Sequence, residues 1–261
     1  MTRSIPPPIR HLELRDRLSE RLGEALQAQQ QVASLYLLRS FGRLVGARGR
    51  AEVSREAVIE AAEQVFREVG LGVAGKEVLG ELLSTHLLEQ IGDDAGKGRV
   101  VPGRQLLAEL SSAISRAEAY CRALETLSRR PVHAAGEVEW ALEEAVCLFN
   151  EGLFFEVHEV LEAVWLKQQG PSRLLLQGLI QIAVGFHHLE NRNLSGALGL
   201  LKEGRDKVTR FGPESLGLRL DRFLEQVDEC RRSIQSLGQK AFDRFDRRMI
   251  PHMQLLHRDE A

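Results

Sequence analysis

The chain has 261 residues, 43 % of them apolar and 28 % charged, which sets one or two domains and excludes a largely disordered polymer. Basic and acidic residues nearly cancel (35 against 37), with 19 basic and 17 acidic in residues 1–130 and 16 and 20 in residues 131–261. Neither half has the basic excess of a nucleic-acid binder, and 41 Leu against 19 Val, 9 Ile, 4 Thr and 2 Tyr suit helices better than a large sheet.

Pro6, Pro7 and Pro8 predict a stiff extended lead-in, followed by a helix over 11–45 whose leucines recur at threes and fours. Gly42 to Gly49 reads as a loop. Ser54 is a plausible N-cap and Gly70 a plausible stop for the next helix, and a further helix is expected over 75–91. Gly92 to Gly103 reads as a loop or short hairpin, before a long helix over 104–129. Arg129-Arg130-Pro131 with Ala134, Ala135 and Gly136 marks a linker. Helices are then expected over 137–149, 153–167, 172–190, 194–209 and 217–237, with a charged tail that Phe242, Phe245, Met249 and Ile250 dock. The expectation is therefore all-α: an N-terminal helical extension (1–130), a compact bundle of antiparallel helical hairpins (131–230) and a C-terminal helix or tail (231–261). A faint echo of Ala145–Glu156 in Ala183–Ala197 fits hairpins within one domain, and motivates a helical-hairpin protein-interaction module as an alternative function.

Two glycine motifs fail on context. Gly70-Leu71-Gly72-Val73-Ala74-Gly75 matches a dinucleotide fingerprint but follows a helical stripe and not a strand. Gly92–Gly98 lacks the spacing and the hydroxyl residue of a phosphate loop. Cys121, Cys147 and Cys230 form no close pair and read as buried free thiols, and His252 and His257 as exposed. MTRSIPPPIR lacks the apolar core of a secretory signal, and no apolar run reaches the ~20 residues of a membrane span, so a soluble, cytoplasmic protein is expected.

The information is concentrated in Phe149–Trp165. At about 100° per residue, Phe155, His158, Glu159, Glu162 and Trp165 share an arc of about 120° on an otherwise apolar helix. On the following helix Gln177, Gln181 and His188 share about 40°, beside Gly178 and Gly185, which would permit close helix approach. The short connection makes these two helices antiparallel neighbours and predicts one buried cluster of His158, Glu159, Glu162, Gln177, Gln181 and His188; His187 points about 100° away. Three readings stay open. The cluster is a satisfied polar network, or a metal-free pocket walled by Phe155 and Trp165, or a divalent-metal site. In the metal reading His158, Glu162 and His188 are candidate ligands of a hydrolase and Glu159 is its candidate base. The spacing is HExxE, not the HExxH of zinc proteases.

Phe149-Asn150, Gly152, Phe154-Phe155-Glu156, His158-Glu159, Glu162 and Trp165 resemble the signature of the family catalogued as domain of unknown function 309. Leu176-Gln177-Gly178-Leu179-Ile180-Gln181, Ala183, His188, Asn193 and Gly196-Ala197 continue it, and Gly212-Pro213 to Leu220 resembles its closing segment, so the resemblance spans about 137–228. It implies a small all-α domain of a family that has been labelled a predicted metal-dependent hydrolase. Arg192 departs from it where the family usually has Gly.

Residues 1–130 resemble no family. Their helices would serve homo-oligomerisation or a protein partner; neither membrane nor nucleic acid is expected. The helix pair at 54–91 followed by Gly98–Arg104 also sketches a winged-helix module, although neither helix is clearly basic.

Overall fold

A computed structural model describes residues 22–48, 52–92, 98–108, 110–129 and 136–256. The proline lead-in, the start of the first expected helix, residues 130–135 of the linker and His257 lie outside them. The chain divides into two compact units, Met1–Arg130 and Pro131–Ala261.

The N-terminal unit runs α1 (Leu22–Arg48), β1 (Val53–Ser54), α2 (Arg55–Val69), α3 (Gly75–Ser84), β2 (Leu88–Ile91), β3 (Arg99–Pro102), α4 (Arg104–Ala108) and α5 (Leu110–Ser128). The three strands pair antiparallel in the order β1-β3-β2, with Val53 opposite Val100 and Leu88 opposite Pro102. A helix, a strand, two helices and a hairpin that returns to the first strand make the winged-helix order. Tyr36, Leu37 and Phe41 of α1, Phe66 of α2, Leu79 of α3, Leu88 and Val100 fill its core. Ser54 caps α2 as expected, its hydroxyl accepting from the Ala57 N–H at 3.3 Å, and Gly70 closes it at φ 75°.

Two sequence expectations fail here. No loop begins at Gly42, because α1 continues through Gly42 and Gly46 to Arg48. Gly42 is a contact glycine: a Cβ there would lie 2.4 Å from Ile114 Cγ2 on α5. The helix over 75–91 stops at Ser84, and 88–91 form β2. The chain turns at His86 (φ 56°), where Gly103 packs so tightly that a Cβ would stand 2.0 Å from the His86 carbonyl oxygen. Four residues are too few to separate a helical from a strand period.

The C-terminal unit stacks α6 (Glu137–Asn150), α7 (Phe154–Trp165), α8 (Gly170–Glu190), α9 (Leu194–Val208) and α10 (Asp221–Leu237), followed by α11 (Ala241–Arg244). The all-α expectation holds, with only small sheets added. Phe149, Phe154, Phe186 and Phe223 meet at ring-centre distances of 5.1–5.9 Å and tie α6, α7, α8 and α10 together. The closest helix contact is α8 on α9. A Cβ on Gly204 would lie 2.6 Å from the Gly178 carbonyl oxygen, and one on Gly185 2.8 Å from Leu201 Cγ. These glycines therefore serve α9, not α7 as the sequence suggested.

The last long helix begins at Asp221 and not at 217, because β4 (Glu214–Ser215) and β5 (Leu218–Arg219) form a hairpin before it. Leu216 (φ 48°) and Gly217 (φ 77°) are both left-handed, as a two-residue type I′ turn requires. The tail then adds β6 (Gln254–Leu255) beside β5. Asn150 holds it like a missing strand: its side-chain amide donates to the Met253 carbonyl (3.0 Å), and its oxygen accepts from the Met253 N–H (2.8 Å). Phe245 is buried as expected, whereas Met249 is 37 % exposed. Among the described residues, no helix is long and apolar enough to cross a membrane.

Candidate functional site

The arc on α7 exists, but it faces solvent. The side chains of His158, Glu159 and Glu162 are 27 %, 43 % and 44 % exposed, which corrects the expectation of a buried cluster. His158 Nδ1 lies 3.0 Å from Glu159 Oε1, and its Nε2 lies 3.5 Å from Glu162 Oε2. One donor atom from each of the three residues falls within 4.8 Å of the others. Val157, Val160, Leu161 and Val164 anchor the opposite side of the helix in the core.

The α8 residues divide differently from the expectation. Gln181 turns to α9, donating to Glu203 (3.0 Å) and accepting from Lys207 (2.8 Å). His188 Nδ1 meets the Asn193 amide at 3.3 Å, in the turn that leads into α9. Gln177 is half-buried on the same helix. The angular reading was sound, since Gln177, Gln181 and His188 flank Gly178 and Gly185; the glycines draw that side of α8 to α9. His187, one position away, stands instead beside Phe155 of α7, at a ring-centre distance of 5.4 Å. Phe155 also lies 6.0 Å from the His158 ring, so it bridges two imidazoles while remaining 43 % exposed. The signal for His187 was its 100° offset from His188, which points it away from α9.

Trp165 closes the arc at the end of α7. The Arg173 guanidinium stacks 4.0 Å over its ring and donates to the carbonyls of Trp165 (2.9 Å) and Gln168 (3.2 Å), capping the end of α7. Among the described residues of the unit, Glu144 and Glu156 are the buried acids, a placement that periodicity did not signal. Burial pushes the thiols of Cys121 and Cys230, two of the three free and buried cysteines, up to about 12, which disfavours their thiolates.

The fold and this arrangement define a helical unit built on a small three-stranded sheet, joined in sequence to a helical-hairpin unit with a solvent-facing His/Glu/Glu group. Residues 142–200 match the family model described as domain of unknown function (DUF309), and the N-terminal region matches no family model. The match contains α7 and α8 entire, and with them all the α7 donors. No curated protein and no solved structure matches the chain.

Proposed function

We propose that the C-terminal unit binds a divalent cation on α7, with His158, Glu159 and Glu162 as ligands. The observation that carries the reading is the convergence of one imidazole and two carboxylate donors within 4.8 Å on a rigid helix. An N,O,O set suits borderline and hard ions such as zinc, manganese or iron(II), and three protein ligands leave positions open for water or substrate. Solvent exposure argues against a register-setting network, since exposed ion pairs of this kind contribute at most about 1 kcal/mol.

The ligand set differs from the one the sequence suggested. Glu159 takes the place of His188, which is engaged with Asn193. Glu159 is then a ligand and no longer the candidate base. A bound metal would lower the pKa of its water and supply the nucleophile of a hydrolase; the chain's own residues position the ion and, through Phe155, an apolar edge beside it. A docking surface is the second reading, favoured by the exposure of Phe155 (43 %) and Leu166 (63 %) at this helix.

Calorimetric titration of the metal-stripped full chain with zinc, manganese and iron(II) tests the proposal. Saturable binding is expected, weakened at least about tenfold by Glu162→Gln, since a lost charged ligand is worth more than 1.4 kcal/mol. Absence of binding for all three ions, or affinity unchanged from the unaltered chain in both His158→Ala and Glu162→Gln, overturns it.

A further inference from the structure

Outside the matched segment, the C-terminal unit holds a second cleft, of about 240 Å³, between the start of α10 and the docked tail. Its polar lining is Arg219, Arg222, Gln226, Arg248, His252 and Gln254, with no carboxylate among the lining residues. Strand pairing builds part of it. Arg219 stands directly opposite Gln254 across β5 and β6, so the two side chains share a face of the sheet. Arg248 is held by Asp246, with contacts of 2.8–3.2 Å. Among the described residues, neither Arg219 nor Arg222 has an ion-pair or side-chain hydrogen-bond partner. Two guanidiniums therefore converge without a protein counter-charge, over a floor that includes the buried Phe223 and Pro251.

The backbone adds to the same field. Arg222 and Phe223 belong to the first turn of α10, a 17-residue helix whose N-cap residue, Leu220, provides no side-chain cap. Leu224 bonds back to the Leu220 carbonyl and the Asp221 N–H to that of Pro213, so Arg222 and Phe223 keep their amide donors, in a turn that also carries the Asp221 carboxylate outside the cleft lining.

We infer that this cleft binds a phosphate monoester of a small molecule. Guanidinium forks match the oxygens of a phosphoryl group, the glutamine amides add neutral donors, and the volume of about 240 Å³ leaves room for a small organic group beside the phosphate. A nucleic acid would need a basic track along the surface; the C-terminal half instead carries 20 acidic against 16 basic residues.

The test is calorimetric titration of the full chain with glycerol 3-phosphate, inorganic phosphate, acetate and a short DNA duplex. Saturable binding of glycerol 3-phosphate is expected, with inorganic phosphate weaker and acetate weaker still. The double variant R219A/R222A should lose at least about tenfold in affinity, while R67A on α2, far from the cleft in sequence, keeps it. An independent readout is the His252 ring proton resonance in the unaltered protein, which should shift with the same saturation curve. Tighter binding of free phosphate than of the monoester, binding of the duplex alone, an unshifted His252 resonance, or full affinity in R219A/R222A each overturn the inference.

Discussion

In the N-terminal unit, Gly42 of α1 lies against the side chain of Ile114 on α5; in the C-terminal unit, Gly178 of α8 and Gly204 of α9 lie against each other's backbone. Both are helix contacts closer than an alanine would allow, yet they differ in what can yield. A side chain changes rotamer, whereas two helix backbones can only move apart and take their core residues with them. The C-terminal packing is thus set by the main chain, and the faces left over, including that of His158, Glu159 and Glu162, are fixed by it. In the N-terminal unit the α1–α5 helix contact is of the side-chain kind, and its close backbone approach, Gly103 on His86, lies at the edge of the small sheet and not between helices.

The largest expected effect breaks that contrast directly. Gly204→Ala places a Cβ 2.6 Å from the Gly178 carbonyl oxygen and 2.8 Å from the Ile182 nitrogen. It should cost about 2–3 kcal/mol in urea unfolding, after the gain in helix propensity. The three atoms nearest a Cβ at Gly42 are all of the Ile114 side chain, and in Gly42→Ala overpacking and propensity should nearly cancel, within about 1 kcal/mol. Equal losses at the two sites would show that the distinction between backbone and side-chain contact is wrong.

The second effect concerns what holds α1 to α5, where no helix backbones touch through a glycine. Arg39 of α1 pairs with Glu125 of α5, with side chains 11 % and 28 % exposed, and Arg39 Nε lacks a partner among the described residues. Glu125→Ala strands a largely buried guanidinium. It should destabilise by about 1–2 kcal/mol, less than a fully buried pair because Glu125 still reaches water. The measurement is the shift of the urea midpoint at constant slope. An unchanged midpoint would mean that α1 and α5 are held by apolar packing alone.

Much of this was legible in the sequence. Ser54 and Gly70 bound α2 because capping is local chemistry, and the α7 donors were legible because positions 158, 159 and 162 lie within about one helical turn. What failed was non-local. Angular arithmetic gives the side of α8 on which Gln181 and His188 lie, but not that α9 would cover that side. Leu88–Ile91 fits either period until β3 pairs with it. The β4–β5 turn has Leu216 where a hairpin of this type favours Asn, Asp or Gly. The role of Asn150 depends on Met253, 103 residues away.

The smallest effect concerns Arg192, in the turn between α8 and α9. It sits at φ 58°, a left-handed position where Gly is comfortable and an ordinary side chain is strained. Its guanidinium makes up for this by pairing with Asp243 at 3.0 and 3.4 Å and by lying 5.0 Å over the Phe242 ring, so it fastens α11 to the α8–α9 turn. Arg192→Gly relieves the backbone and loses the tether, so global stability should hardly change while amide exchange across Phe242–Arg244 accelerates. The pair also gives a pH signature. Hydrogen bonding to Arg192, and then its charge, holds the Asp243 carboxyl below its ordinary 3.8. A carboxylate whose folded pKa is depressed contributes in full above 3.8 and loses that contribution as pH falls through the folded value. The tail should therefore stay fastened at neutral pH and loosen only in acid below the usual carboxylate range. Carbon-13 detection of the Asp243 carboxyl would follow both: its midpoint should lie below 3.8 in the unaltered chain and return to it in Arg192→Gly. An identical midpoint in the two proteins would leave the strained backbone at Arg192 without a compensating contact.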